Sequence, residues 1–139
     1  MKISARNQLK GTVAAVEKGA VNGIVKIDLG GTVITADITN ASIDELGLEP
    51  GKEALAIIKA TEVMFANAAI AGISARNQLA GTVAEVEKGA VNGRVVLELA
   101  GGAKVSGTIT NAAIDELGLE AGKEAVAIVK STSVMVGIE

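Results

Sequence analysis

Cysteine and histidine are both missing from this 139-residue chain. With them go disulfide staples, zinc and thiolate metal centres, and the Cys-His or Ser-His pairs of nucleophilic catalysis. Aromatic side chains are nearly absent too: Phe65 stands alone, with no Trp and no Tyr. A single-stranded nucleic acid would find almost nothing to stack on, and a net charge of -3 offers no general attraction to a phosphate backbone. No apolar run is long enough to span a bilayer, since the stretch from Val63 to Ile73 is short and carries Asn67. Met1-Lys2-Ile3-Ser4 leads straight into patterned sequence without the regions of a secretory leader, so a cytoplasmic location with no membrane or nucleic-acid partner is expected.

What the chain has in quantity is small aliphatic side chains, and it has them twice. Ser4 to Leu29 matches Ser74 to Leu99 at 20 of 26 positions, and Ile38 to Met64 matches Ile109 to Met135 at 21 of 27. The offset grows from 70 to 71 between these blocks, which marks one inserted residue. Two units are too few for a solenoid, so two like domains are expected: 1–66 and 74–139, joined by a linker at 67–73. A domain of this size without staples is marginally stable alone, and 49% hydrophobic residues point to association as the remedy.

Within each unit, Gly11 to Glu17 and Val21 to Leu29 are rich in Val, Ile and Thr, and Asn22-Gly23 between them predicts a tight hairpin turn. A second turn at Gly30-Gly31 leads into Thr32 to Thr39. The second copy carries its extra residue here, at Ala100-Gly101-Gly102-Ala103, as a hairpin tip tolerates. Ser42-Ile43-Asp44-Glu45 has the form of a capping box and Gly47 of a helix stop, which predicts one short helix. Pro50-Gly51 turns the chain into Glu53 to Met64, read as one buried strand. The sum is an all-β protein: two tandem small OB-like Greek-key β-barrels, each with one short helix.

Phosphate-loop chemistry fails on spacing. Gly47 to Glu53 has one residue too few between its glycines, and Glu53 stands where a Mg²⁺-binding hydroxyl is needed. No nucleophile–base pair is visible, so an enzyme is not expected.

Ser-Ala-Arg-Asn-Gln-Leu-x-Gly opening each repeat, Ile-Thr-Asn-Ala in its middle and Gly-Lys-Glu-Ala-x-Ala-Ile-x-Lys near its end resemble the molbindin (Mop/TOBE) family, in its tandem form, over nearly the whole chain. The resemblance implies an OB-like barrel, a homotrimer of tandem chains, and molybdate or tungstate as ligand at subunit interfaces, with no cofactor. Nothing before the repeats is similar to the DNA-binding or ATPase parts of the family's regulators and transporters, which directs the expectation to intracellular storage. An oxyanion carrier or sensor acting on a partner protein, and an OB-type nucleic-acid module, are the other classes.

By the same resemblance, Ser4, Arg6, Lys59 and Ala60 form one half of an interface site and Thr39 with Ser42 the other. In the second copy the counterparts are Ser74, Arg76, Lys130 and Ser131, facing Thr110 and Ala113. A tetrahedral dianion needs hydrogen-bond donors and positive charge, which hydroxyls, amides, guanidinium and ammonium supply without Cys or His. Each residue also has a plainer role open to it. Lys59 and Lys130 fit as edge-strand gatekeepers, although a lysine amid aliphatic residues costs burial unless it meets an anion. Ser42 fits as a helix cap. Arg6 fits as a surface charge. The loops Lys18 to Gly23 and Lys88 to Gly93 fit as hairpin turns; a second, axial class of oxyanion site in relatives makes the backbone of Ala20, Val21, Asn22, Ala90, Val91 and Asn92 its candidates. The serine changes place between copies: Ser42 with Ala60 in the first, Ala113 with Ser131 in the second.

Overall fold

The computed structural model describes residues 1–139 and holds ten strands, two α-helices and two short 3-10 turns. The first repeat contributes β1 (Asn7–Lys18), β2 (Asn22–Asp28), β3 (Val33–Thr39), α1 (Asn40–Leu46), β4 (Glu53–Ile58), a 3-10 turn at Ala60–Glu62 and β5 (Met64–Ala66). The second contributes β6 (Asn77–Lys88), β7 (Asn92–Leu99), β8 (Lys104–Thr110), α2 (Asn111–Leu117), β9 (Glu124–Val129), a turn at Ser131–Ser133 and β10 (Met135–Gly137). The all-β reading with two short helices holds.

All strand pairs are antiparallel and form two five-stranded sheets, ordered β10-β4-β1-β2-β3 and β5-β9-β6-β7-β8. Each sheet thus takes an outermost strand from the other repeat: Met135 pairs with Ile57, and Met64 with Ile128. The stretch from Glu53 to Met64 is not one strand. It ends at Ile58, and Lys59 and the 3-10 turn redirect the chain so that β5 crosses to the second sheet.

Alternation along β1 buries Leu9 and Val13, and β2 buries Val25 and Ile27. A bulge between Val13 and Ala15 bends β1, so its first half pairs with β4 and its second with β2. Twenty-six buried residues of both repeats form one hydrophobic cluster, from Leu9 and Ile58 to Leu97 and Val129. The two hairpin tips also meet, with Thr32 Oγ1 donating to Ala100 O at 3.3 Å.

Two local expectations need correction. Asn22-Gly23 is not the turn: Gly19–Val21 is, closed by Gly19 N–H to Asn22 O at 2.8 Å, and Asn22 already begins β2. Gly23 is required because α1 packs onto it, and a Cβ there would lie 2.6 Å from Ile43 Cδ1. The helix begins one turn earlier than its Ser-x-x-Glu pattern implied. Thr39, with extended φ/ψ of -70° and 148°, is the N-cap and accepts from Ser42 N–H at 3.1 Å. Leaving β3 in extended conformation puts Thr39 at the boundary, so Ser42 falls in the first turn. Gly47 does stop the helix, at φ 61°.

Candidate functional site

The ladder between β1 and β4 ends at Asn7 paired with Ile58. Beyond that rung the N-terminal arm and the turn after β4 lie side by side. Ser4, Ala5, Arg6, Lys59, Ala60 and Thr61 line an open hollow of about 230 Å³ there. Ala5 anchors the arm by burying its methyl against Leu55 and Ile57. The Arg6 guanidinium turns back on the arm, its Nε donating to Ser4 O at 3.0 Å and Nη2 to Ile3 O at 3.4 Å. Lys59 is exposed, as is Lys130, so burial in the aliphatic run does not force either to find an anion within its own chain. Its ammonium is free of ion pairs. The hollow is therefore lined by two cationic side chains, one of them the unpaired Lys59, and by the hydroxyl residues Ser4 and Thr61.

In the second repeat Arg76 precedes Asn77 and Lys130 follows Val129, with Asn77 and Val129 paired at the end of the β6–β9 ladder. Ser74 and Ser131 occupy the positions of Ser4 and Ala60.

Thr39 and Ser42 stand elsewhere. Thr39 pairs with Asn22 beside the far end of β1, where Lys18 pairs with Gly23. From Asn7 to Lys18 is roughly 35 Å of strand at about 3.3 Å per residue. One chain does not bring these hydroxyls to Ser4, Arg6 and Lys59. Thr39 Oγ1 accepts from Ser42 N–H and is bonded to Ser42 Oγ at 2.9 Å, which uses one of the two hydroxyl hydrogens. At α2, Ala113 N–H donates to Thr110 Oγ1 at 3.1 Å and there is no second hydroxyl. The first-turn amide N–H of Ser42 and that of Ala113 are thus both taken by their cap threonines.

The loop Gly19–Val21 is tied to the helix by Asn40, whose N–H donates to Val21 O and whose Nδ2 donates to Gly19 O. Lys18 pairs with Asp44 beside it, and Asp37 lines the adjoining hollow with Glu17. Ala20, Val21 and Asn22 are exposed, as are Ala90, Val91 and Asn92, with Val21 and Val91 72% and 71% exposed. These loops are held open to solvent by their own helix contacts.

Two residues at the starts of β1 and β6 escaped the sequence reading. Asn7 and Asn77 are buried, each bonded across to the other repeat. A polar residue repeated at the start of an alternating strand, on its inward phase, was the available signal.

A family model described as the TOBE domain matches residues 3–65 and 73–136. The molybdenum transport protein ModE of Herbaspirillum seropedicae is 42% identical across all of the chain and 52% of its own length. The molybdenum-pterin-binding protein MopA of Rhodobacter capsulatus is 41% identical across 99% of the chain and 53% of its own length. The chain spans about half the length of these curated relatives. The crystal structure of the cytoplasmic molybdate-binding protein ModG with molybdate bound superposes with a TM-score of 0.94, at 45% identity and full coverage of both chains. No helix of the chain is long and apolar enough to cross a membrane.

Proposed function

We propose, because the chain belongs to the TOBE-domain family, that it is a binding protein for molybdate or tungstate that stores and buffers the oxyanion in the cytoplasm, rather than an enzyme. The observation that carries this reading is the hollow itself: Ser4, Arg6 and Lys59 gather around it on a chain whose fold follows that of a relative with molybdate bound. A dianion entering it exchanges water for charge-assisted hydrogen bonds and two positive charges.

The hollow is open on one side, and the hydroxyls of Thr39 and Ser42 lie at the far end of β1. The proposed site is completed across a subunit interface in a homotrimer. Ser4, Arg6, Lys59 and Ala60 of one chain meet Thr39 and Ser42 of a neighbour, and Ser74, Arg76, Lys130 and Ser131 meet Thr110 and Ala113. Joining like copies gives every site one of the serines that change place, Ser42 in the first kind and Ser131 in the second; joining unlike copies leaves one kind with none. The loops at Ala20–Asn22 and Ala90–Asn92 are the proposed axial sites, by backbone N–H groups.

Calorimetric titration with molybdate, tungstate, sulfate and phosphate tests the function. Molybdate and tungstate, alike in charge and shape, are expected to bind well above the other two. Equal affinity for all four would reduce the site to a generic anion patch. Light scattering tests the assembly, where a stable monomer at micromolar concentration would remove the interface site.

A further inference from the structure

Asn7 and Asn77 are the buried polar residues of the molecule, each 2% exposed. Ser106 N–H donates to Asn7 Oδ1 at 2.7 Å, and Asn7 Nδ2 donates to Ser106 O at 2.8 Å and to Ile58 O at 3.1 Å. Asn77 engages Thr35 in the same way, accepting from its N–H and donating to its carbonyl, both at 2.8 Å. Thr35 and Ser106 lie on β3 and β8, the outer strands of their sheets. A side-chain amide, with one acceptor and one donor edge, therefore stands in for the backbone of a further strand and joins each repeat to the other.

The placement ties this clasp to the oxyanion hollow. Arg6 directly precedes Asn7 and Lys59 directly follows Ile58, so the three bonds of Asn7 fall at the last rung between the two segments that line the hollow. The arm before Asn7 has no strand pairing of its own. Beyond Ser106, β8 runs on to Thr110, the cap of α2. In the second repeat, Asn77 holds Thr35 alone, without a third bond to β9, the strand that Lys130 follows.

We infer that Asn7 and Asn77 are positioning residues for oxyanion binding: each fixes the anion-contacting arm of its own repeat against the other repeat, and Asn7 also fixes the Lys59 segment. The inference rests on the molybdate reading of the hollow. Neither asparagine touches the anion. Each sets the spacing of groups that do, and loss of a few tenths of an ångström of registry weakens several charge-assisted bonds at once.

The experiment is molybdate occupancy of first-copy and second-copy sites, read by anomalous scattering at limiting molybdate, for Asn7→Ala, Asn7→Asp and Asn77→Ala. Asn7→Ala, which removes all three bonds, is expected to weaken first-copy sites about tenfold and to leave second-copy sites nearly unchanged. Asn7→Asp is expected to do the same, because a carboxylate has no N–H for the two carbonyls. Asn77→Ala should weaken second-copy sites, by less. A fall in melting temperature with both classes of site unchanged, or equally weakened, would overturn the inference and leave only a structural clasp. A second measurement needs no variant: saturating molybdate should slow amide hydrogen exchange at Ser106 and Thr35 in the unaltered protein. Unchanged exchange with molybdate demonstrably bound would overturn the positioning role alone, whereas no molybdate binding by the unaltered protein would overturn the function and this inference with it.

Discussion

Where the first repeat has Ala36 the second has Gly107, and where the first has Phe65 the second has Val136. These differences are matched across the repeats, because β5 carries Phe65 into the second sheet and β10 carries Val136 into the first. The only aromatic ring of the chain lies over Gly107, where a Cβ would come within 2.4 Å of Phe65 Cε2. In the first sheet the smaller Val136 accompanies Ala36, which has the methyl that Gly107 lacks. The larger residue of one position meets the smaller of the other, a compensating change of the kind a close-packed interior tolerates. Two nearly identical repeats thereby acquire unlike sockets for their exchanged strands.

The helix heads offer a second contrast. The first has two hydroxyls and the second one, yet Thr39 and Ser42 are bonded to each other, so each head presents a single free hydroxyl hydrogen. Counting oxygens overstates the difference; counting unengaged donors removes it.

The largest test of equivalence between copies is at the lysines. Lys59→Ala with Lys130→Ala should remove most molybdate binding, on the order of 2 to 5 kcal/mol per site if the assembled site is desolvated. Each single change should empty one class of site. Calorimetry with circular dichroism checks that binding is lost from a folded protein, and normal binding by the double variant would make the lysines edge gatekeepers.

Removing residues 135–139 takes sequence from the second repeat but should damage the first sheet. Loss of Val136 and Ile138, which pack half-buried against the core cluster, is expected to cost about 3 kcal/mol. Hydrogen exchange should accelerate at Leu55–Ile57 of β4 more than in β9; the reverse pattern would contradict the exchanged pairing.

Gly107→Ala should cost about 1 to 3 kcal/mol by driving a methyl into Phe65. Adding Phe65→Val should restore most of it, giving the second sheet the residues of the first. Denaturant unfolding of the two single variants and the double would show additive losses if the pair were not in contact.

The smallest effect is expected from Ser42→Ala. It removes the serine hydroxyl proposed for first-copy sites, so first-copy affinity alone should fall by about 1 kcal/mol or somewhat more. Weakening of second-copy sites as well would rule out the joining of like copies.

Much of this architecture is written in local sequence. Gly47 and Gly118 stop their helices in the left-handed conformation, and the length change at Ala100–Ala103 marks a hairpin tip. The exchange of β5 and β10 is not legible there, because Val63-Met64 and Val134-Met135 are the same dipeptide in the same frame. Local pattern is identical whether a strand returns to its own sheet or crosses. Only the long-range match of Phe65 to Gly107 distinguishes the two. The site residues came from motif resemblance, while what holds them was invisible: Asn7 looks like a break in alternation until Ser106, 99 residues away, supplies its partner. Asn22-Gly23 misled because the glycine serves close packing against Ile43 rather than a positive φ.

The crossing of β10 into the first sheet also has a consequence in time. Translation delivers β4 some 80 residues before Met135–Gly137, which must pair beside it. At about 5 to 20 residues per second the ribosome leaves that edge uncovered for roughly 4 to 16 s, long compared with the milliseconds to seconds in which β domains of this size fold. The first half of the polypeptide must therefore wait, incomplete, for the last strand to be made. For several seconds each nascent copy exposes the aliphatic edge of β4 that Met135–Gly137 will later cover.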